Sequence, residues 1–194
     1  MSIKDHPQQE RAITVAAGAG QAPAVAGKVW AVLRITTGLV FGWAFADKLF
    51  GLGYATASGN AWIGGGSPTQ GFLGHLDHGP FAAMFRSWAG AWWADWFFML
   101  GLAGVAVALL FGVGLRIAAV SGTIMMLLMW AAEWPLDRFT DGGEPTMSTN
   151  PILDYHILYA LVLIGLAVVA AGNVWGFGKA WAKLDIVARN PWLR

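Results

Sequence analysis

The 194-residue chain is 57% hydrophobic and only 12% charged, with a mean hydropathy of +0.55. An average soluble domain carries about twice that share of charge, so the composition excludes a soluble globular domain and a disordered tail. A net charge of +1 with no long Lys/Arg run excludes a nucleic-acid partner, and the lack of Cys excludes disulfides, thiolate zinc sites and cysteine-held iron–sulfur clusters. The expected solvent is a lipid bilayer.

Residues 1–27 read as a mobile cytoplasmic tail rather than a secretory signal, because Asp5 and Glu10 interrupt it and the run from Ala12 to Ala26 is broken by Gly, Gln and Pro. A membrane domain over 28–178 follows. Its first apolar segment runs from about Val29 to Phe50 and carries Arg34, Asp47 and Lys48. Gly38, Gly42 and Ala46 form a ladder of small residues on which a second helix can pack closely. Residues 51–95 are too rich in Trp, Phe and Gly for a solvated linker. Trp62, Phe72, Phe81, Phe85, Trp88, Trp92 and Trp93 predict an aromatic cap over the outer end of the helices.

Charge-free stretches of 20 residues between Asp95 and Arg116, 16 between Arg116 and Glu133, and 24 between Asp154 and Lys179 predict three further spans. The glycine-rich turn Phe111-Gly-Val-Gly-Leu-Arg116 joins the second and third spans as a hairpin. Pro151 suits the start of the fourth. Residues 179–194 complete the chain as a C-terminal tail.

The expected fold class is all-α, a four-helix transmembrane bundle with a long aromatic outer loop between helices one and two. With both termini cytoplasmic, eight cations (Lys4, Arg11, Lys28, Arg116, Lys179, Lys183, Arg189 and Arg194) lie inside and three (Lys48, Arg86 and Arg138) outside. This bias sets the orientation in the plasma membrane.

The same topology brings Asp47, Lys48, Asp95, Glu133, Asp154 and His156 to one level at the outer end. Such a ring either handles protons and polar head groups or forms the ordinary polar border of the helices. Lys48, Asp47, Asp95, Asp154 and His156 are the candidate substrate-binding residues, with an acid expected beside Lys48. Met126, Met129, Trp130 and Glu133 at helical spacing, with Tyr159, either line a flat quinone pocket or pack as plain core. Arg34 sits within the first span, where it snorkels, pairs with an acid or contacts an anion; Arg116 is the comparable cation of the hairpin. No haem or metal is expected. Only His156 lies at a helix end, and His75-x-x-His78 with Asp77 lacks a convincing third ligand. Gly64-Gly-Gly-Ser67 lacks the spacing and Lys of a phosphate loop.

Arg34-Ile-Thr-Thr-Gly38-Leu-Val-Phe41 followed by Asp47-Lys48-Leu-Phe-Gly51 resembles the first helix of DoxX/DoxD-like integral membrane proteins. Trp62-Ile-Gly-Gly-Gly-Ser67-Pro68-Thr69-Gln-Gly71-Phe72-Leu73 is similar to the outer loop of an actinobacterial branch of them. Gly114-Leu-Arg116-Ile-Ala, and Asn150-Pro151 with Asp154 and His156, also fit. The likeness covers about residues 28 to 178 and implies a four-helix membrane bundle. It also implies redox chemistry related to thiosulfate:quinone oxidoreduction, with quinone as cofactor. That enzyme includes a DoxA segment which this sequence lacks, so the alternative is a non-catalytic accessory subunit of a larger respiratory or redox complex. The expected partners are the lipid bilayer and other membrane subunits or a second copy of the chain.

Overall fold

The computed structural model describes residues 24–194; helix α1 (His6–Phe50) enters that range at Ala24. The tail expected over 1–27 lies almost wholly outside the described residues. Among them the chain is all-helical, apart from one isolated antiparallel bridge between Phe139 and Pro145.

Three helices are long and apolar enough to cross a membrane: α1 over Ala24–Phe50, α4 (Trp92–Phe111) and α5 (Leu115–Glu133). Twenty residues of α-helix span about 30 Å, the thickness of a bilayer's hydrocarbon. α1 packs on α4, α4 on α5, and α5 on α6 (Tyr155–Val168). The buried faces meet at Met99, Val105, Leu109, Leu163 and Leu166, all at most 1% exposed. Val32, Leu39, Phe97, Leu100, Val120, Ile124, Leu158 and Leu161 point outward on the same helices. Apolar side chains inside and outside together are the mark of helices solvated by hydrocarbon, and the protein is a membrane protein by this criterion.

Small residues set the spacing. A Cβ at Gly38 would stand 3.0 Å from Leu109 Cβ and 3.1 Å from the Leu110 backbone nitrogen, so the first rung of the ladder is the α1–α4 contact. Gly122 lies where α4, α5 and α6 meet, and a Cβ there would stand 3.3 Å from Val105 Cγ2 and closer still to Leu163.

The fourth apolar segment departs from expectation. Its helix α6 has 14 residues, about 21 Å, and ends at Val168, although the charge-free stretch runs on to Gly178. Ala170 and Trp175 take positive φ values of 49° and 52°, and Ala171–Asn173 forms a short 3-10 turn. The carbonyls released by this unwinding find a donor in Arg34.

The α1–α4 connection folds as a compact unit. It contains α2 (Pro68–Leu73), capped by the Ser67 side chain, and α3 (Ala82–Trp88). Leu73, Leu76, Ala82 and Phe85 pack with Ala132 of α5. Edge-on pairs Trp62–Trp96, Phe81–Trp134 and Trp88–Trp93 tie it to α4 and to the end of α5. The segments α7 (Gly178–Trp181) and α8 (Asp185–Arg189) close the chain.

Candidate functional site

Arg34 is wholly buried, and all five of its N–H donors meet backbone carbonyls. Nε donates to Ala171 O (3.2 Å), Nη1 to Leu109 O and to Leu110 O (3.0 Å), and Nη2 to Val174 O (3.3 Å) and Trp175 O (2.8 Å). Leu109 and Leu110 belong to the last turn of α4, whose carbonyls have no partners within the helix. Gly112, Gly172 and Gly176 bring the backbone close enough: a Cβ at Gly112 would lie 3.1 Å from Nη1, and one at Gly176 would lie 3.1 Å from Nη2. Arg34 neither snorkels nor pairs with an acid in this structure; its geometry is that of an internal clamp on backbone carbonyls. Arg116 acts more modestly, donating from Nη1 to Pro191 O at 3.0 Å and holding the C-terminal segment.

The six-membered polar ring does not assemble as one group. Asp47 is buried and accepts from the backbone N–H groups of Tyr54 (3.2 Å) and Ala55 (3.0 Å), which fixes the turn leaving α1. Asp95 is buried at the start of α4, where one oxygen accepts from Ser67 Oγ (2.9 Å), Thr69 N (2.9 Å) and Thr69 Oγ1 (2.6 Å). The Gly-Gly-Gly-Ser-Pro-Thr stretch is therefore a latch between α2 and α4. Among the described residues Lys48 has no carboxylate within 4.0 Å; its Nζ stands 5.9 Å from the Phe98 ring centre. No direct ion pair forms with the acids expected beside it, because Asp47 and Asp95 face loop donors and Glu133 and Asp154 pair elsewhere.

The other three members do meet. Asp154 caps α6, its Oδ1 accepting from His156 N (3.0 Å) and Ile157 N (3.3 Å), and this places Oδ2 at 2.8 Å from His156 Nδ1. Glu133, the last residue of α5, brings Oε2 to 3.9 Å from the same nitrogen. Tyr155, which the sequence reading did not single out, donates from its hydroxyl to the Glu133 carboxylate at 3.1 Å. His156 is 0% exposed, and its Nε2 has no hydrogen-bond partner; Thr123 Oγ1 is the other such side-chain atom among the described residues. Asp154 Oδ2 and His156 Nδ1 share one hydrogen bond, and the far nitrogen Nε2 is left without a partner. A buried polar atom left unpaired costs about 1–3 kcal/mol.

A cavity of about 670 Å³ adjoins this cluster, lined by His78, Glu133, Asp154 and Tyr155 with Leu158 and Leu161 of the outward face of α6; His156 lies buried behind Asp154 and Glu133 and does not itself line it. His78 places Nε2 at 2.8 Å from the Glu133 carbonyl and Nδ1 at 2.9 Å from Asp77. Burial alone would lower its pKa. The hydrogen bonds to Asp77 and Glu133, with the charges of Asp77 and Asp137, outweigh burial and raise it above the ordinary histidine value. His75 turns instead to Gly71 O at 3.0 Å and takes no part.

The Met/aromatic stripe expected to line a quinone pocket is divided. Met126 is buried in the core, Met129 packs at its edge, and Tyr159 meets Phe41 edge-on at 5.9 Å. Trp130 donates from Nε1 to Ile152 O at 3.0 Å, bracing the segment before α6. A second, apolar groove of about 920 Å³ runs along α4 and α5, floored by Gly101, Gly104 and Ala118 and walled by Trp88, Trp93 and Trp181.

No family model, curated protein or solved structure matches the chain.

Proposed function

We propose that the chain is a DoxX/DoxD-like four-helix transmembrane protein of the plasma membrane, with both termini cytoplasmic, and that its Asp154–His156 pair binds the head group of a quinone. The observation that carries this reading is the buried, unpartnered Nε2 of a histidine whose other nitrogen is held by a carboxylate. His156 offers a lone pair to a ligand hydroxyl, or, once protonated, an N–H to a ligand carbonyl. Asp154 stabilises the imidazolium in the second state, as a carboxylate does in any acid–histidine pair. Tyr155 and Glu133 supply further polar contacts, and the apolar Leu158 and Leu161 suit a hydrocarbon tail. A bound quinone would supply a two-electron, two-proton acceptor for the thiosulfate oxidation that the resemblance implies. Lys48, with no carboxylate within 4.0 Å among the described residues, is the cation best suited to an incoming anion.

One observation favours a second reading, an accessory subunit. The α4–α5 groove is floored by small residues, and a Cβ at Gly104 would touch nothing within 4 Å, so another apolar element can approach there.

Purification in mild detergent followed by lipid extraction tests the first reading. Wild type should carry co-purifying quinone, and His156→Leu should carry at least about tenfold less while staying folded, the loss expected for one ligand hydrogen bond. Equal quinone in both would refute the assignment. Single Cys probes at Ser67 and Thr146 should react with an impermeant reagent in intact cells, and probes at Ser2 and Ala188 should not; the reverse pattern would invert the topology.

A further inference from the structure

We infer that Glu133, Asp154 and His156 form a binding site for a divalent transition-metal cation of the zinc type. One ligand atom from each of the three lies within 4.8 Å of the other two. Asp154 Oδ2 is 2.8 Å and Glu133 Oε2 3.9 Å from His156 Nδ1. In a tetrahedral zinc site with bonds of about 2.0–2.2 Å, ligand atoms stand about 3.3–3.6 Å apart, so loading needs shifts of about 1 Å.

Two further observations point to a cation. Neither carboxylate has a Lys or Arg nitrogen within 4.0 Å among the described residues, so two adjacent acids are left without a fixed positive charge. The third ligand is a wholly buried imidazole whose Nδ1 is aimed at both carboxylates from inside the bundle. One imidazole and two carboxylates make a donor set suited to zinc rather than to calcium or magnesium, which take oxygen alone. The ligands come from the end of α5 and the start of α6, so a metal would join the two helices where the long connection between them begins and ends. The fourth position would open toward the cavity lined by Glu133, Asp154 and Tyr155. A metal on Nδ1 would also move the imidazole proton to Nε2 and turn that atom into a donor.

This inference stands apart from the quinone reading, since either ligand can be found without the other. Full-length protein in detergent, stripped with a chelator, would be titrated with Zn²⁺ by calorimetry. The expected result is one Zn²⁺ per chain, with Glu133→Gln and Asp154→Asn each weakening binding by at least about tenfold. Glu133→Gln still accepts from Tyr155, and Asp154→Asn still caps the helix, its amide N–H donating to His156 Nδ1 once the imidazole proton moves to Nε2. His75→Ala and Asp77→Asn should leave binding intact. If the carboxylate variants fail to fold, pulsed EPR of the Cu²⁺-loaded wild type decides through the signature of a coordinated imidazole. No Zn²⁺ binding, binding unchanged in both carboxylate variants, binding lost in either control, or a Cu²⁺ centre without imidazole would each overturn the proposal.

Discussion

Arg34 and His156 are both wholly buried polar residues among apolar helices, near opposite ends of α5, about 28 Å apart along its 19 residues. Their surroundings differ in one respect. Arg34 has a carbonyl for each of its five donors, whereas His156 has a partner for one nitrogen and none for the other. A buried polar group whose hydrogen bonds are complete is part of the frame. One left incomplete has a hydrogen bond still to offer, and at His156 that open bond is what the quinone reading uses.

That contrast breaks most visibly at Arg34. Arg34→Met should unpair carbonyls at the end of α4 and in the segment after α6, destabilising the protein by on the order of 5 kcal/mol. Detergent-stable, monodisperse protein should largely vanish on size-exclusion chromatography. Arg34→Lys should not restore it, since a single ammonium with three donors cannot replace a planar fork of five. A variant as stable as wild type would mean that the clamp is not what holds α4 to the 169–177 segment.

The Asp95 latch offers an intermediate case. Asp95→Leu removes the one oxygen that accepts from Ser67 and Thr69 and leaves their donors unsatisfied. A loss of about 1–3 kcal/mol is expected, the cost of an unsatisfied buried group. It should appear as a lower unfolding temperature and as faster proteolysis within 51–91. Quinone binding should stay unchanged, because no residue of the latch lines the cavity beside His156. Loss of quinone with full stability would place Asp95 in the site rather than the frame.

The spans were legible in the sequence wherever charge spacing alone decides them, as at α4 and α5. Gly38 was legible too, because close helix contact has few substitutes for Gly. The early end of α6 was not, since nothing in a run of 24 uncharged residues signals that an arginine more than a hundred positions upstream will take up its carbonyls. Asp47 and Asp95 looked like members of a ring because topology gives depth but not direction. Their partners are N–H and hydroxyl groups of a loop whose path depends on its own packing. Tyr155 had a readable signal, its place between Asp154 and His156 in the first turn of a helix, where a neighbour of the capping residue reaches back toward the preceding helix end.

The smallest effect tests the border between the two regions, at His78, which joins the α1–α4 connection to the end of α5 through the Glu133 carbonyl. Its pKa is raised in the folded protein by Asp77 and the Glu133 carbonyl, against the opposing effect of burial. A raised histidine pKa means that the folded state binds the proton more tightly than the unfolded chain. The contribution is then complete below the unfolded value of about 6.5 and lost as pH rises through the folded value. Unfolding temperature, measured as wild type minus His78→Gln, should therefore be positive at about pH 6 and shrink toward higher pH. A difference that grew with pH would show His78 to be held in its neutral form. The tie to α5 would then be an uncharged hydrogen bond, indifferent to Asp77.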